Sequence, residues 1–280
     1  MLTEANPCSA DEVGAFYDRL GGYFATVFGD DNIHFGYWDD ADDDAGSGLA
    51  QDRLTRMALA WLSPAAEHWV LDVGCGTGGP GRLAVRETGC SVAGVTVSRS
   101  QVEQAHRTAV REGVAGRLRV QRADAMALPF PAESFDAVLA LESIFHMADR
   151  RRAFAEISRV LRPGGRVAIT DIVRVGPMTG ALGAHIQRTL GCAPLAGVED
   201  YPPALAAAGL RVRELRDISA HSRRSVEQIH ERHLSHEGEL RAHCGDAFID
   251  ALLDDWPAVL AAFGHSLGYV FVTADKPASA

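Results

Sequence analysis

Positive charge is scarce in this 280-residue chain. Lysine and arginine together number 27 against 37 aspartates and glutamates, the formal net charge is −10, and Lys276 is the single lysine. No basic stripe is present that could neutralise the phosphates of a nucleic acid. The acidic balance also disfavours an anionic membrane surface. The sequence therefore predicts neither a nucleic-acid partner nor a membrane partner.

Long apolar runs and paired cysteines are missing as well. No apolar stretch approaches the roughly 20 residues that span a bilayer, and the first residues lack the basic start and apolar core of a secretion signal. No C-x-x-C pair occurs, and the cysteines are odd in number, so no disulfide framework is expected. They are Cys8, Cys75, Cys90, Cys192 and Cys244. These absences predict a cytoplasmic protein, and they leave its oligomeric state open.

Two polar clusters have some features of metal sites but lack the required spacing. The acidic segment 39–44 resembles the start of a calcium-binding EF-hand loop, but it does not fit that template. Gly46 falls one position after the required glycine, and Gln51 stands where the template has a glutamate ligand. Three histidines recur every three residues at His230, His233 and His236. Their setting among glutamates and arginines favours a helix surface over a zinc site. We predict no metal site, and whether segment 39–44 binds an ion stays open.

Apolar residues make up 47% of the chain, which is enough for a sizeable core. Strand patterns and helix patterns alternate from residue 69 onward. The strands are predicted near 69–73, 91–97, 118–123, 135–142 and 165–173, and the helices near 79–88, 99–112 and 149–161. This alternation predicts a parallel sheet with helices on both faces. Ligands of such sheets bind beyond the carboxyl ends of the strands.

The flanking segments differ from this core. An aromatic-rich helix is predicted over 9–28, a polar loop over 29–48 and a helix over 49–62. After the fifth strand, glycines and prolines punctuate an insertion at 176–200. The remaining predictions are helices near 199–208, 222–243 and 246–263, and strands near 211–219 and 268–273. No internal repeat is evident.

The most informative segment is a glycine-rich turn after the first strand. An apolar run ends at Asp72 and continues into Gly74, Gly76 and Gly79, and a helix pattern follows at once. Glycine has no Cβ, so such a turn lets a ligand approach bare backbone at the start of a helix. The spacing G-x-G-x-x-G formally matches the dinucleotide fingerprint.

Two observations argue against a dinucleotide and therefore against an NAD-dependent oxidoreductase. The carboxylate of Asp72 would face a pyrophosphate, and like charges in proximity are unfavourable. A dinucleotide site also needs an acid at the tip of the second strand for the ribose. The second strand ends instead in Thr96 and Ser98, followed by Gln101, which could still bind a ribose. A ligand that carries an amine and a sulfonium would suit Asp72 better.

Four ordered blocks carry a resemblance to a known family. Asp72-x-Gly74-x-Gly76-x-Gly78 resembles motif I of the class I S-adenosylmethionine (SAM)-dependent methyltransferases. Three further blocks resemble the second-strand tip, the third-strand tip and the turn before the fifth strand. They are residues 94–101, 122–131 and 161–169. The resemblance covers roughly residues 50 to 175, and four blocks in order are far more specific than one motif.

The resemblance implies the fold, the cofactor and a division of the chain. The expected fold is a doubly wound, mostly parallel, seven-stranded Rossmann-like α/β sheet with a helical lid, whose last two strands form an edge hairpin. The implied parts are an N-terminal helical lid segment (1–62), a SAM-binding core (63–220) with the insertion 176–200, a helical lid insertion (221–264), and a final strand with a tail (265–280). The expected cofactor is SAM.

The same resemblance assigns cofactor contacts by position. They are Asp72, Gly74, Cys75, Gly76, Thr96, Ser98, Gln101, Asp124, Ala125 and Glu142. Other interpretations stay open for several of them. Asp72 could cap the following helix, Asp124 could form a turn, and Glu142 could orient the turn that follows the fourth strand.

Candidate catalytic and acceptor-binding residues follow from the same comparison. The family places the loop that contains His146 next to the transferred methyl group, and a histidine there could accept a proton from an acceptor hydroxyl. A histidine that only bonds a backbone carbonyl is the alternative. Asp171 is predicted to orient His146 or to hold the acceptor. Aromatic and polar residues near the N-terminus could line the acceptor pocket or form lid core; they are Tyr17, Tyr23, Phe24, His34, Tyr37 and Trp38.

These features predict a small-molecule methyltransferase. The resemblance extends to members that act on antibiotics, sterols and tocopherol, and it favours transfer to a hydroxyl in bacterial secondary metabolism. Methylation of carbon or nitrogen stays open, and so does a SAM-binding cyclase that no longer transfers methyl groups. The acceptor itself cannot be named from the sequence.

Overall fold

The structure is a computed structural model that describes residues 9–29 and 32–278. Cys8, the first eight residues of the predicted N-terminal lid segment and the last two residues of the predicted tail lie outside this range. Among the described residues, none of the helices is long and apolar enough to cross a bilayer.

Seven strands form one sheet. They are β1 (Trp69–Val73), β2 (Ser91–Thr96), β3 (Leu118–Arg122), β4 (Phe135–Leu141), β5 (Leu161–Arg174), β6 (Arg211–Asp217) and β7 (Leu267–Asp275). Their order is β3-β2-β1-β4-β5-β7-β6, with β1 to β5 parallel and β7 antiparallel to both of its neighbours. This topology confirms the predicted doubly wound, mostly parallel fold.

The central strands are apolar on both faces because helices cover both sides of the sheet. Within β1, Val70 packs into one hydrophobic core and Leu71 into the other. The helices are α1 (Ala10–Arg19), α2 (Gly21–Phe28), α3 (Ser47–Leu62), α4 (Gly79–Thr88), α5 (Arg99–Arg111), α6 (Arg150–Val160), α7 (Gly180–Leu190), α8 (Tyr201–Ala207), α9 (Ser219–Ser235), α10 (Glu237–Cys244) and α11 (Asp246–Ala262).

Several element boundaries differ from the sequence-based predictions. The predicted helix over 9–28 is two helices, because the chain bends at Leu20 before two glycines, which are poor helix formers. The predicted helix over 222–243 is likewise divided at His236. Strand β5 starts at Leu161, which pairs with Phe135 ahead of the expected turn. The last two strands are neighbours as expected, and three helices lie between them in the chain where the sequence predicts two.

Helix α1 lies across the tip of β2. A Cβ added at Gly14 would stand 2.6 Å from the carbonyl oxygen of Val97, so the helix approaches the strand end backbone to backbone. On the same helix, the Oδ1 atom of Asp18 accepts hydrogen bonds from the hydroxyl of Ser98 at 2.5 Å and from the backbone N–H of Ser100 at 3.0 Å. These contacts place α1 directly over the carboxyl end of the sheet.

The histidines of α9 do not form the exposed row that the sequence predicts. His233 is fully buried, and its Nε2 atom lies 2.7 Å from the hydroxyl of Tyr23 on α2. In the acidic segment, Asp43 is paired with Arg53 and accepts backbone N–H groups from Asp39 and Ala45. Within the described ranges, no three His, Cys, Asp or Glu side chains are grouped so that they could hold a metal ion.

Candidate cofactor and catalytic site

A cavity opens beyond the carboxyl ends of β1, β2 and β4, with α1 as one wall. It encloses about 940 Å³ of atom-free space, which includes open solvent at its mouth. Most of the predicted site residues line it, although they come from distant parts of the chain. They are His34, Asp72, Gly74, Cys75, Gly76, Thr96, Gln101, Asp124, Ala125, Glu142 and His146.

The glycine turn presents bare backbone to this cavity. Gly74, Gly76 and Gly78 have φ values of +72°, +53° and +82°, which only glycine adopts readily. A Cβ at Gly74 would lie 2.3 Å from the Cβ of Ser143, whereas one at Gly76 would meet nothing closer than 3.8 Å. The first glycine therefore allows close packing within the protein. The second leaves open space for a ligand.

Asp72 is a buried carboxylate whose hydrogen bonding is incomplete. The side chain is 2% exposed, and burial raises its pKa to about 7 even though the backbone N–H of Gly81 favours the charged form. Its Oδ2 atom has no hydrogen-bond partner among the described residues. A buried charge without a partner is unfavourable, so a cationic ligand group would stabilise this site. The contact with Gly81 also fits the helix-capping interpretation.

The second-strand tip brings two of its three predicted residues to the cavity. The hydroxyl of Thr96 donates to the Oε1 atom of Gln101 at 2.6 Å, and both residues line the cavity. Ser98 is not part of the lining. It caps α5 by accepting the N–H of Gln101, and it donates its own hydroxyl to Asp18. This N-cap position gives the hydroxyl a structural partner on each side, so its placement does not support a ribose contact.

Asp124 and Glu142 combine a structural contact with a place in the cavity wall. The Oδ1 atom of Asp124 accepts the N–H of Met126 at 2.8 Å, which forms a turn after β3. Glu142 has a φ of +48° and accepts the hydroxyl of Tyr269 at 2.6 Å and the N–H of Phe35 on the same Oε1 atom. Burial raises the pKa of Glu142 to about 8. Glu142 therefore ties the end of β4 to the segment that follows α2.

His146 is held in a single orientation at the edge of the cavity. Its Nδ1 atom lies 3.0 Å from the carbonyl oxygen of Gly191, and its Nε2 atom lies 2.7 Å from the hydroxyl of Tyr17. Burial lowers the pKa of His146 to about 4, so the imidazole is neutral near pH 7. A carbonyl can only accept, so Nδ1 carries the hydrogen and Nε2 has the free electron pair. His146 can therefore bond a backbone carbonyl through Nδ1 and still accept a proton at Nε2, so both predicted interpretations hold for this side chain.

Asp171 does not contact His146 and does not line the cavity. Its carboxylate accepts the backbone N–H of Phe145 at 3.2 Å and the hydroxyl of Tyr201. Arg150 donates to the carbonyl oxygen of Phe145 at 3.0 Å. Asp171 therefore does not orient His146 as the sequence predicts. It holds the backbone of the turn at Phe145, and the carbonyl of Gly191 orients the imidazole.

Four of the predicted acceptor-binding residues lie outside the cavity lining, namely Tyr23, Phe24, Tyr37 and Trp38. The hydroxyl of Tyr23 bonds His233, and the ring of Tyr37 stacks on His221 with centroids 4.3 Å apart. The indole N–H of Trp38 donates to the carbonyl of Ala45 at 2.8 Å. The polar groups of Tyr23 and Trp38 thus have partners within the protein, which fits the lid-core interpretation. Tyr17, by contrast, lines the cavity.

His34 lines the cavity, but both of its ring nitrogens are hydrogen-bonded within the protein. Its Nδ1 atom lies 2.8 Å from the carbonyl oxygen of Phe35, and its Nε2 atom lies 3.3 Å from the hydroxyl of Thr55. Burial lowers the pKa of His34 to about 4. It therefore offers a neutral ring to the cavity wall.

Comparison with known proteins agrees with this geometry. Residues 71–169 match a family model described as a methyltransferase domain. The chain is 41% identical to methyltransferase GfsG of Streptomyces halstedii over 215 residues. This alignment covers 76% of this chain and 77% of that relative. It is 35% identical to the 27-O-demethylrifamycin SV methyltransferase of Amycolatopsis mediterranei, over 99% of this chain and 100% of that one.

Among solved structures, the [4+2]-cyclase SpnF is similar to the chain along nearly its whole length. The TM-score is 0.86 at 30% identity, with coverage of 98% of this chain and 99% of SpnF. The chain belongs to the class I SAM-dependent methyltransferases of the small-molecule, natural-product branch. SAM is its cofactor, and the unpartnered Asp72 oxygen and the open glycine turn fit a ligand that carries an amine.

The pKa of Asp72 leads to a testable pH dependence of cofactor binding. The ammonium of S-adenosylhomocysteine (SAH) should bind the ionised carboxylate, so a proton must leave Asp72 below its folded-state pKa of about 7. We expect the affinity for SAH to rise with pH from 5.5 to 7, by up to about tenfold per unit, with one proton released at the lower end. Calorimetry in buffers of different ionisation enthalpy measures both quantities. A flat profile or proton uptake would contradict this coupling.

Proposed function

We propose that the chain transfers the methyl group of SAM to a hydroxyl of a small molecule, in the biosynthesis of a natural product such as an antibiotic. The observation that carries the proposal is His146, a neutral imidazole at the cavity wall whose Nε2 electron pair is directed toward a cavity-lining group. A hydroxyl loses its proton when its oxygen is methylated, so a positioned base assists the reaction.

The residues of the chain divide the work between binding and catalysis. The Asp72 carboxylate and the glycine turn would hold the amino-acid part of SAM, and Thr96, Gln101 and Asp124 would hold the nucleoside. When bound, SAM supplies a methyl carbon that its sulfonium already makes electrophilic. The protein then contributes position, water exclusion and a base.

We propose further that α1 and α2 with the helices between β6 and β7 form the lid of the acceptor site. Helix α2 packs against α9 and α10, so the N-terminal segment and the insertion between the last strands make one layer. Helix α1 contributes Val13 and Tyr17 to the cavity wall. The relative from Amycolatopsis is named for 27-O-demethylrifamycin SV, which supports a natural-product acceptor with a free hydroxyl.

A cyclase that keeps SAM without transferring its methyl group is the second candidate. The similarity to SpnF over nearly the whole chain favours it. Methylation of carbon or nitrogen is a third possibility, since a neutral amine or an electron-rich carbon needs less help from a base. The neutral His146 beside the cavity supports the hydroxyl acceptor over both.

Incubation with methyl-labelled SAM and a panel of acceptors tests the proposal. The panel contains 27-O-demethylrifamycin SV, simple phenols and sugars as hydroxyl acceptors, and primary and secondary amines for comparison. We expect mass spectrometry to find the label on the oxygen of a panel hydroxyl, with SAH formed in equal amount. Label on nitrogen or carbon, or conversion of an acceptor with SAM unchanged, would contradict hydroxyl methylation.

A further inference from the structure

We propose that Tyr17 is a catalytic residue that accepts the proton of the acceptor hydroxyl and passes its own phenolic proton to His146. This inference rests on the hydroxyl methylation proposed above, and it assigns the first proton acceptor to Tyr17 rather than to the imidazole.

The two nitrogens of His146 leave a single route for a proton. The Nδ1 atom faces the carbonyl oxygen of Gly191 at 3.0 Å, so this side of the ring already donates its hydrogen to the protein. The Nε2 atom faces the Tyr17 hydroxyl at 2.7 Å. Because a neutral imidazole accepts at its unprotonated nitrogen, the phenol is the donor in this bond. A proton that moves from the cavity to His146 therefore meets Tyr17 first.

Tyr17 is fixed in this position by its neighbours. Its ring stacks on Phe24 with centroids 4.8 Å apart and meets the edge of Phe16 at 5.5 Å. The side chain is only half-buried, and the residue lines the cavity. Burial and the nearby Glu142 carboxylate raise the pKa of Tyr17, so it stays protonated at neutral pH. The phenol oxygen has free electron pairs that can accept a hydrogen bond from a hydroxyl in the cavity.

Displacement of Tyr17 by the acceptor would be less favourable than a relay through it. The bond to His146 is the one hydrogen bond of the Tyr17 hydroxyl among the described residues. An acceptor that took this place would leave a phenol without a partner, which is unfavourable. In a relay, both hydroxyls remain hydrogen-bonded throughout.

The step balances in atoms and charge. The acceptor oxygen forms a bond to the methyl carbon while the carbon–sulfur bond breaks, and its electron pair stays on sulfur as the neutral thioether of SAH. The acceptor O–H bond breaks and a new O–H bond forms on Tyr17. The original phenolic proton moves to the Nε2 atom of His146, so the positive charge of the sulfonium ends on the imidazolium. The hydrogen bond to the Gly191 carbonyl favours that charge, and Arg150 opposes it.

The substitution Tyr17→Phe tests the relay, and the chain offers a matched control. Tyr23 makes the same kind of bond, 2.7 Å from its hydroxyl to the Nε2 atom of His233, but it lies outside the cavity lining. With the hydroxyl of the panel that is methylated fastest, we expect Tyr17→Phe to lower the single-turnover rate at saturating SAM by at least about tenfold. Tyr23→Phe should stay within about threefold of the unmodified protein, and both should bind SAH normally.

A second measurement needs no acceptor and no turnover. Nitrogen NMR of the histidine-labelled protein without ligands, with His146 assigned from the spectrum of His146→Asn, reports which ring nitrogen carries the hydrogen. We expect the hydrogen on Nδ1 and none on Nε2 at pH 7. Hydrogen on Nε2 would overturn the relay, because the phenol could not then donate.

The outcomes separate the relay from the function on which it rests. If His146→Asn slows transfer but Tyr17→Phe leaves it within about threefold, the relay is overturned and hydroxyl methylation stands. A Tyr17→Phe effect confined to SAH affinity would also overturn it, because Tyr17 would then be only a lid contact. If no hydroxyl of the panel is methylated, both proposals are wrong.

Discussion

Replacing Asp72 with asparagine is expected to remove most of the affinity for SAM and SAH while leaving the protein folded. The asparagine amide has nearly the shape of the carboxyl group but no charge for the ligand ammonium. Loss of one member of a buried, hydrogen-bonded charge pair costs about 2–5 kcal/mol, so the dissociation constant for SAH should rise by about 30-fold or more. Calorimetric titration of both proteins at pH 7.5 measures the change.

The same substitution should not lower the stability of the ligand-free protein. Burial raises the folded-state pKa of Asp72 to about 7, above its ordinary value of 3.8. The folded state therefore binds the proton more tightly than the unfolded state, and the stability that this gives is lost as the pH rises through about 7. At pH 8 we expect Asp72→Asn to melt at the same temperature as the unmodified protein or higher, with the difference shrinking as the pH falls and vanishing only below the unfolded-state pKa of 3.8.

A second aspartate on the same sheet provides a control, because it shows whether the loss of any carboxylate, or only that of Asp72, weakens the binding of SAH. Asp136 pairs with Arg162 and accepts the N–H of Trp69 at the opposite end of the strands. Asp136→Asn should leave the affinity for SAH within about threefold, even if it costs stability. If Asp72→Asn also kept its affinity within that limit, the unpartnered carboxylate would not be the ammonium site.

Replacing His146 with alanine is expected to lower the rate of methyl transfer by about 100-fold with the affinity for SAH nearly unchanged. A positioned general base contributes typically 10²–10⁴-fold to a rate. Whether the proton arrives directly or through Tyr17, the Nε2 atom of His146 is where it ends. Single-turnover kinetics with the panel hydroxyl that is methylated fastest measures the loss.

Two further variants and a pH profile identify the origin of this effect. His146→Asn keeps a donor for the Gly191 carbonyl but has no base, so it should be as slow as His146→Ala. His236→Ala removes an exposed histidine and should change nothing. Because the pKa of His146 is lowered to about 4, its protonation should not reduce the rate between pH 6 and pH 8. A rate within about threefold for His146→Ala would end the assignment of a base.

The sequence predicts the core of the fold because its signals there are local. Alternating strand and helix patterns and the glycine turn after Asp72 depend on residues that are neighbours in the chain. The carboxyl ends of parallel strands meet at one edge of the sheet, so the sequence alone groups Asp72, Thr96, Asp124 and Glu142. The structure brings all four to one cavity, while their roles toward SAM remain predictions.

The sequence could not predict contacts between residues that are far apart in the chain. Tyr17 and His146 are separated by 129 positions, and Tyr23 and His233 by 210. No local pattern distinguishes the tyrosine that faces the cavity from the one that packs in the lid. Ser98 is a partial exception, because a serine at the start of a helix pattern is a typical N-cap, and this signal could have separated it from Thr96.

The measurement that tests the proposed reaction most directly follows the methyl group itself. With SAM that carries a ¹³C-labelled methyl group and 27-O-demethylrifamycin SV or another hydroxyl of the panel, NMR can observe the label throughout the reaction. We expect the signal of the methyl on sulfur to decay while that of a methyl on oxygen grows at the same rate. A label that remains on sulfur while the acceptor is converted, or that appears on carbon or nitrogen, would contradict the proposed function.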